Sequence, residues 1–212
     1  MEHLRQTRNV AILIYDQVEP LDFTGPFEVF LCGSDRGSDR GSDRGSDFNV
    51  FTVAERHEPV LAVGSLSINP SYTILDCPTP DLLIVPGGFG SRREMDNETL
   101  LNWIRMVAEQ AELVLSVCTG ALLLAKANLL EGLQITTNRS AIGELEKAAP
   151  DSATIVTDVR YVDNGKIILS AGVSAGIDMS LYVVGKLLGE ERALEAARTM
   201  EYEYYHEANW HD

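Results

Sequence analysis

Basic residues are scarce in this chain, with 17 Lys and Arg against 32 Asp and Glu and a formal charge of −15. Such a balance repels a phosphate backbone instead of releasing its counterions, so nucleic acid is not an expected partner. Cysteine is scarcer still. Cys32, Cys77 and Cys118 form an odd set without CxxC spacing, which argues against a disulfide framework and a zinc cage and points to a reducing, cytoplasmic setting without a bound metal. No apolar run approaches the ~18 residues of a spanning helix, and the polar N-terminal tail leads straight into a strand, so no membrane association is expected. Neither GxGxxG nor a P-loop occurs, and no nucleotide or other cofactor is expected.

What is present is apolar residue in short blocks. The chain has 212 residues, 45% of them apolar, enough for one sizeable core, and no Pro/Gly-rich linker divides it. One domain over residues 1–212 is the expectation. Asn9 to Tyr15 (NVAILIY), Asp81 to Gly88 (DLLIVPGG) and Glu112 to Gly120 (ELVLSVCTG) are runs of the kind buried on both faces of a parallel sheet. Helical patterns lie between and after them: TGPFEVFLC near Thr24, NETLLNWIRMVAEQ from Asn97, GALLLAKANLL from Gly120, AIGELEKAA from Ala141 and AGIDMSLYVVGKLLG from Ala175. The alternation predicts an α/β fold with a mainly parallel sheet. Around Asp163-Asn164-Gly165, two β-branched runs predict a small antiparallel hairpin at the sheet edge. Residues 33–47, GSDRGSDRGSDRGSD, contain no apolar side chain and read as a flexible insertion between the first helix and the strand FNVFTVA.

Chemistry concentrates at Ser116 to Gly120, SVCTG, where a buried strand meets a Leu/Ala-rich helix. This is the strand, tight turn, helix context of a nucleophile elbow, with Cys118 at its apex. A helix N-terminus favours thiolate over thiol, so Cys118 is expected to titrate below an ordinary cysteine. Cys32 and Cys77 lack this context and read as packing residues. Histidine gives the nucleophile no obvious base: His3, His206 and His211 lie in the tails, and His57 lies in a polar turn. The candidate partner is Asp22, in the loop leaving the first strand. Its neighbours Leu21 and Phe23 would desolvate the carboxyl and raise its pKa, suiting it to proton exchange with sulfur or water. The competing reading makes Asp22 a cap for the helix beginning near Thr24. Gly87 and Gly88 close the strand LLIV and allow close backbone approach. An anion-stabilising pair from the N–H groups of Gly88 and Thr119 is therefore expected.

Taken in order, VAILIYDQVEPLDFTGPFEVF, DLLIVPGG, SVCTGALLLAKANLLEG, ITT and GVSAGIDMSLYVV resemble the ThiJ/PfpI superfamily, which is related to class I glutamine amidotransferases. LDFTGP, CTGALLLA and SAGID look most like the isonitrile hydratases and the similar sensor domains fused to helix-turn-helix regulators. The resemblance implies a flavodoxin-like three-layer sandwich, usually a homodimer, acting on a small molecule. It places the nucleophile on Cys118, the acid of the first loop on Asp22 and the following threonine on Thr119. Where close relatives read TTH and an aromatic residue, this chain reads Thr136-Thr137-Asn138-Arg139, so Asn138 is expected as a binding residue that lacks an imidazole's proton chemistry. A histidine after the nucleophile, typical of the peptidase-like and deglycase-like branches, is replaced by Thr119. The implied activity is a lyase reaction, hydration of an isonitrile to an N-substituted formamide. A non-catalytic small-molecule or oxidative-stress sensor and a glyoxalase-like or amidase-like enzyme are the alternatives. Only one helical pattern, ALEAARTMEYEYYHEANWHD, follows the last matching segment, so a fused helix-turn-helix domain is not expected.

Overall fold

A computed structural model describes residues 7–34 and 46–204. Its elements in chain order are β1 (Arg8–Leu13), α1 (Pro20–Gly33), β2 (Phe48–Ala54), β3 (Val60–Leu61), β4 (Ser67–Ile68), β5 (Tyr72–Thr73) and β6 (Leu82–Val85). There follow α2 (Ser91–Glu94), α3 (Glu98–Gln110), β7 (Leu113–Val117), α4 (Gly120–Lys126), β8 (Gln134–Ile135) and α5 (Ile142–Ala148). The last described elements are β9 (Thr154–Ile155), β10 (Tyr161–Asp163), β11 (Ile167–Ser170), α6 (Ala175–Leu188) and α7 (Glu190–Thr199).

Seven strands form the main sheet in the order β10-β11-β7-β6-β1-β2-β5. All neighbours are parallel except β10 and β11, the edge hairpin turning at Asn164-Gly165. Val10–Leu13 of β1 and Leu82–Val85 of β6 are fully buried, because helices cover both faces and leave no position for a polar side chain. Helices α1, α6 and α7 pack against one another on one face; α4 sits on β6 and β7 and meets α2, α3 and α5 on the other. The result is the three-layer α/β arrangement expected from the alternation of patterns. Strand β1 lies between β2 and β6, so the chain first builds outward on one side and then on the other. The carboxyl ends of β1 and β6 therefore flank a topological switch point, where open α/β sheets place ligands.

The elements depart in places from the expected ones. Helix α1 starts at Pro20, ahead of Thr24; proline fits the first helical position because that residue needs no N–H. Short α2 and the two-residue strands β3, β4, β5, β8 and β9 were not legible, since two to four residues span no period. Most of the GSDR tract, residues 35–45, lies outside the described residues. Its described flank is anchored: Phe48 N–H donates to Ser34 Oγ at 2.9 Å and Arg8 N–H to Asp47 O at 2.9 Å.

A buried ion pair anchors the start of α6. Arg160 and Asp178 are 3% and 0% exposed and are directly ion-paired, and Tyr202 Oη donates to Asp178 at 3.2 Å. Asp178 belongs to the first turn of α6, while Arg160 O accepts from Ala171 N at 2.8 Å. The pair thus ties the start of α6 to the segment that precedes β10. Among the described residues no helix is long and apolar enough to cross a membrane.

Candidate active site

Three loops converge where β1, β6 and β7 end. The β1 loop is zipped to the β6 loop: Glu19 N–H donates to Gly87 O at 2.9 Å, Gly90 N–H donates to Gln17 O at 3.1 Å, and Val18 bridges Gly88. Glycine is required at that seam. A Cβ on Gly87 would lie 2.5 Å from Thr119 N and 3.0 Å from Asp22 Oδ2, and Gly88 has φ +126 with Gln17 O 2.4 Å from a Cβ position.

Cys118 stands between β7 and α4 with φ +55, the left-handed region that costs a non-glycine residue about 1 kcal/mol or more. The turn is held from both sides. Cys118 N–H donates to Ala171 O at 3.1 Å, and Thr137 Oγ1 donates to Cys118 O at 2.7 Å. The side chain is 7% exposed. Asp22, in the first turn of α1, is 0% exposed and accepts from Gly87 N–H at 3.0 Å through Oδ2. The capping role is excluded, because α1 begins at Pro20 and Asp22 lies inside its first turn; the cap position is Glu19, and no side chain caps the helix there. Oδ1 has no nitrogen or oxygen partner among the described residues, and the neighbouring Cys118 thiol hydrogen-bonds the carboxyl.

Burial governs both titrations. It pushes Asp22 up to about 7, with the Glu19 charge adding to the rise and the Gly87 N–H opposing it. It also pushes the Cys118 thiol up to about 11, reinforced by the Asp22 charge and opposed by the Thr119 and Val173 N–H groups and the Asn138 side chain. The expected low thiol pKa is thereby corrected. Helix α4 is only seven residues long, and its terminal field does not offset desolvation beside a carboxylate. The resting site holds a thiol and a carboxyl that titrates near neutrality.

The expected anion-binding pair is corrected as well. Gly88 N–H donates to Thr119 Oγ1 at 3.0 Å, so it is engaged inside the loop junction and not presented as an open donor. Thr119 Oγ1 also lies 3.0 Å from Ser91 Oγ and 3.2 Å from Gly88 O. Asn138 begins the turn after Thr137; its Oδ1 accepts from Ser140 N–H at 2.9 Å, which leaves the amide to face the thiol. The six residues singled out in the sequence, Cys118, Asp22, Thr119, Gly87, Gly88 and Asn138, are brought together. No described histidine joins them. His57 pairs instead with Asp76 at 3.4 Å, and His3, His206 and His211 lie outside the described residues. Cys32 and Cys77 are half-buried elsewhere, and no described cysteine is in a disulfide.

Sequence reasoning missed Tyr15, Ser91, Arg92 and Glu144. Tyr15 is buried with its hydroxyl donated to Pro86 O at 2.6 Å, and burial plus the Asp22 charge hold its pKa well above the ordinary tyrosine range. Arg92 reaches back from α2 to Gly88 O at 3.1 Å and pairs with Glu144 of α5. A cavity of about 700 Å3 opens beyond Tyr15 and α2, lined by Asp16, Glu55, Arg93, Glu94 and Asn97 among others, but neither Cys118 nor Asp22 lines it.

The DJ-1/PfpI family model matches residues 8–186. The chain belongs to the DJ-1/PfpI family. Isonitrile hydratase of Pseudomonas putida is 33% identical over 193 residues, spanning 91% of this chain and 78% of the relative. The HTH-type transcriptional regulator CdhR of Pseudomonas aeruginosa is 30% identical over 139 residues, 66% of this chain but 40% of the regulator. Among solved structures, a ThiJ/PfpI family protein from Pseudomonas syringae superposes with a TM-score of 0.81 at 27% identity, over 95% of this chain and 78% of that one. Drosophila melanogaster DJ-1beta gives 0.78 over 94% of this chain and 100% of that one; at 19% identity this speaks for the DJ-1/PfpI fold alone. The flavodoxin-like sandwich expected from the resemblance is thus the observed one.

Proposed function

We propose that this protein is a cysteine-dependent hydratase that converts a small isonitrile into an N-substituted formamide. The observation that carries the reading is the buried carboxyl of Asp22, with a pKa of about 7, hydrogen-bonded to the Cys118 thiol. A thiol near 11 needs a base at the moment of attack, and a carboxylate that titrates near neutrality can both take and return a proton. Asp22 accepts the Sγ proton as sulfur bonds to the terminal isonitrile carbon, then delivers it to that carbon to give a thioimidate. Water then adds to the same carbon, with Asp22 removing a proton from it and the nitrogen gaining one. Collapse of the adduct breaks the carbon–sulfur bond, releases the formamide and restores the thiol. One water is consumed and nothing is oxidised. Thr119 and Gly87 hold the loop junction, and Asn138 donates to the sulfur.

The reading includes a single domain, a cytoplasmic setting and a homodimer. Leu21, Leu61, Leu66 and Phe89 are exposed on α1, the β3–β4 hairpin and the β6 loop, segments joined by the Gln17–Leu61, Val63–Val18 and Glu19–Gly87 hydrogen bonds. A second copy seated there would remove this apolar surface from water. Sedimentation at micromolar concentration should therefore give twice the 23.3 kDa chain mass.

Incubation with a panel of isonitriles and 2-oxoaldehydes tests the activity. Formamide from the isonitriles is the expected product; hydroxy acid from the aldehydes would favour a glyoxalase-like enzyme. The similarity to a transcriptional regulator favours one second reading, a small-molecule sensor. It predicts saturable binding of the same compounds with no product.

A further inference from the structure

Arg92 brings a cation to the loop junction of this site. Its Nε and Nη2 donate to Glu144 Oε2 and Oε1 at 2.8 and 2.7 Å, a two-point pairing that holds the guanidinium plane. Nη1 is directed inward, 3.1 Å from Gly88 O and 3.4 Å from both Thr119 Oγ1 and Ser91 Oγ. The guanidinium is close enough to Cys118 and Tyr15 for charge on either to strengthen its protonation, after the larger effect of Glu144. It therefore stands beside the residue that follows the nucleophile.

The ion pair itself is accessible, with the Arg92 and Glu144 side chains 38% and 45% exposed. Pairs of this kind contribute little to stability, so an incoming carboxylate can share or replace Glu144 at small cost. A guanidinium also matches a carboxylate in shape as well as charge. In a chain carrying −15, an anion has little general attraction to the surface, and a local cation must provide it.

We propose that Arg92 is a specificity-determining residue that recognises a carboxylate borne by the electrophile Cys118 attacks, in competition with the exposed carboxylate of Glu144. The proposal rests on the cysteine-hydratase reading, and within it names the substrate class as an isonitrile carrying a carboxylate.

The test compares two alkylating probes of similar size, iodoacetate and iodoacetamide. Their rates at Cys118, read by mass spectrometry of the Cys118 peptide to exclude Cys32 and Cys77, form a ratio from which thiol nucleophilicity cancels. Arg92→Gln is expected to lower the iodoacetate-to-iodoacetamide ratio about threefold or more, and Arg92→Lys to lower it less. Glu144→Gln is expected to raise it by about twofold, because the guanidinium loses its competing carboxylate. Both effects shrink with added salt. A purely structural pairing of α2 with α5 would move the ratio the same way in the Gln variants at both positions, or not at all, and either result overturns the proposal. Failure of Cys118 to react with either probe also overturns it, since a site closed to a two-carbon acid cannot present Arg92 to one. Alkylation needs no turnover. Absence of formamide product with an Arg92-dependent ratio would remove the hydratase reading alone, and turnover with an unchanged ratio would remove the Arg92 inference alone.

Discussion

At the scale of the residue, Asp22 links reactivity to stability. Its carboxylate is the base in the proposed reaction, so kcat/KM should rise about tenfold per pH unit below about 7 and level off above it. Asp22→Asn keeps the Gly87 contact and removes the base; turnover should fall by about 10²–10⁴-fold. The same substitution has the opposite effect on the fold. A folded-state pKa of about 7 lies above the ordinary 3.8, so the folded chain holds this proton more tightly than the unfolded one. That contribution is fully present below pH ~4 and is lost as pH rises through about 7. Asn carries no ionisation cost, so Asp22→Asn should be the more stable protein at pH 8 by on the order of 2–4 kcal/mol and nearly equal to the parent at pH 4, measured by denaturant titration. Asp22 and Cys118 were legible because each follows a buried run at a strand end. Arg92 and Glu144 were not: they are 52 residues apart and ordinary surface types, and only the pairing of α2 with α5 across the site gives them meaning. The thiol pKa was misread for a related reason, since a helix terminus shows in sequence and the depth of burial does not.

Elements differ in how they are held, and α6 is the instructive case. Its sequence, AGIDMSLYVVGKLL, reads as an apolar helix with one incongruous acid, Asp178. Nothing local shows that this acid is charge-paired, because Arg160 comes from an irregular stretch before β10. Removing one member of a buried pair leaves the other charge desolvated, so Arg160→Met should destabilise the fold by about 3–5 kcal/mol. Arg160→Met combined with Asp178→Leu should recover much of that loss, which a thermal-melt double-mutant cycle can measure. Strands β1, β6 and β7 were legible to within about three residues at their ends, since burial on both faces demands nearly continuous apolar runs. The short strands and α2 owe their existence to partners distant in sequence, and residues 35–45 of the GSDR tract remain a matter of sequence alone.

For the whole molecule, the decisive feature is that the site belongs to no single segment. The Asp22–Gly87 contact spans 65 residues and the Gly88–Thr119 contact 31, and each crosses from one strand's loop to another's. Local helices can form early, but contacts of this separation require the intervening chain to be closed first. The chain should therefore acquire secondary structure before it acquires chemistry. In a refolding time course, far-UV ellipticity should recover ahead of the raised pKa of Cys118, read by pulsed alkylation at two pH values. During that interval the thiol is unshielded and titrates as an ordinary cysteine, so the nascent protein is most vulnerable to oxidants at the stage when it can do nothing with its substrate.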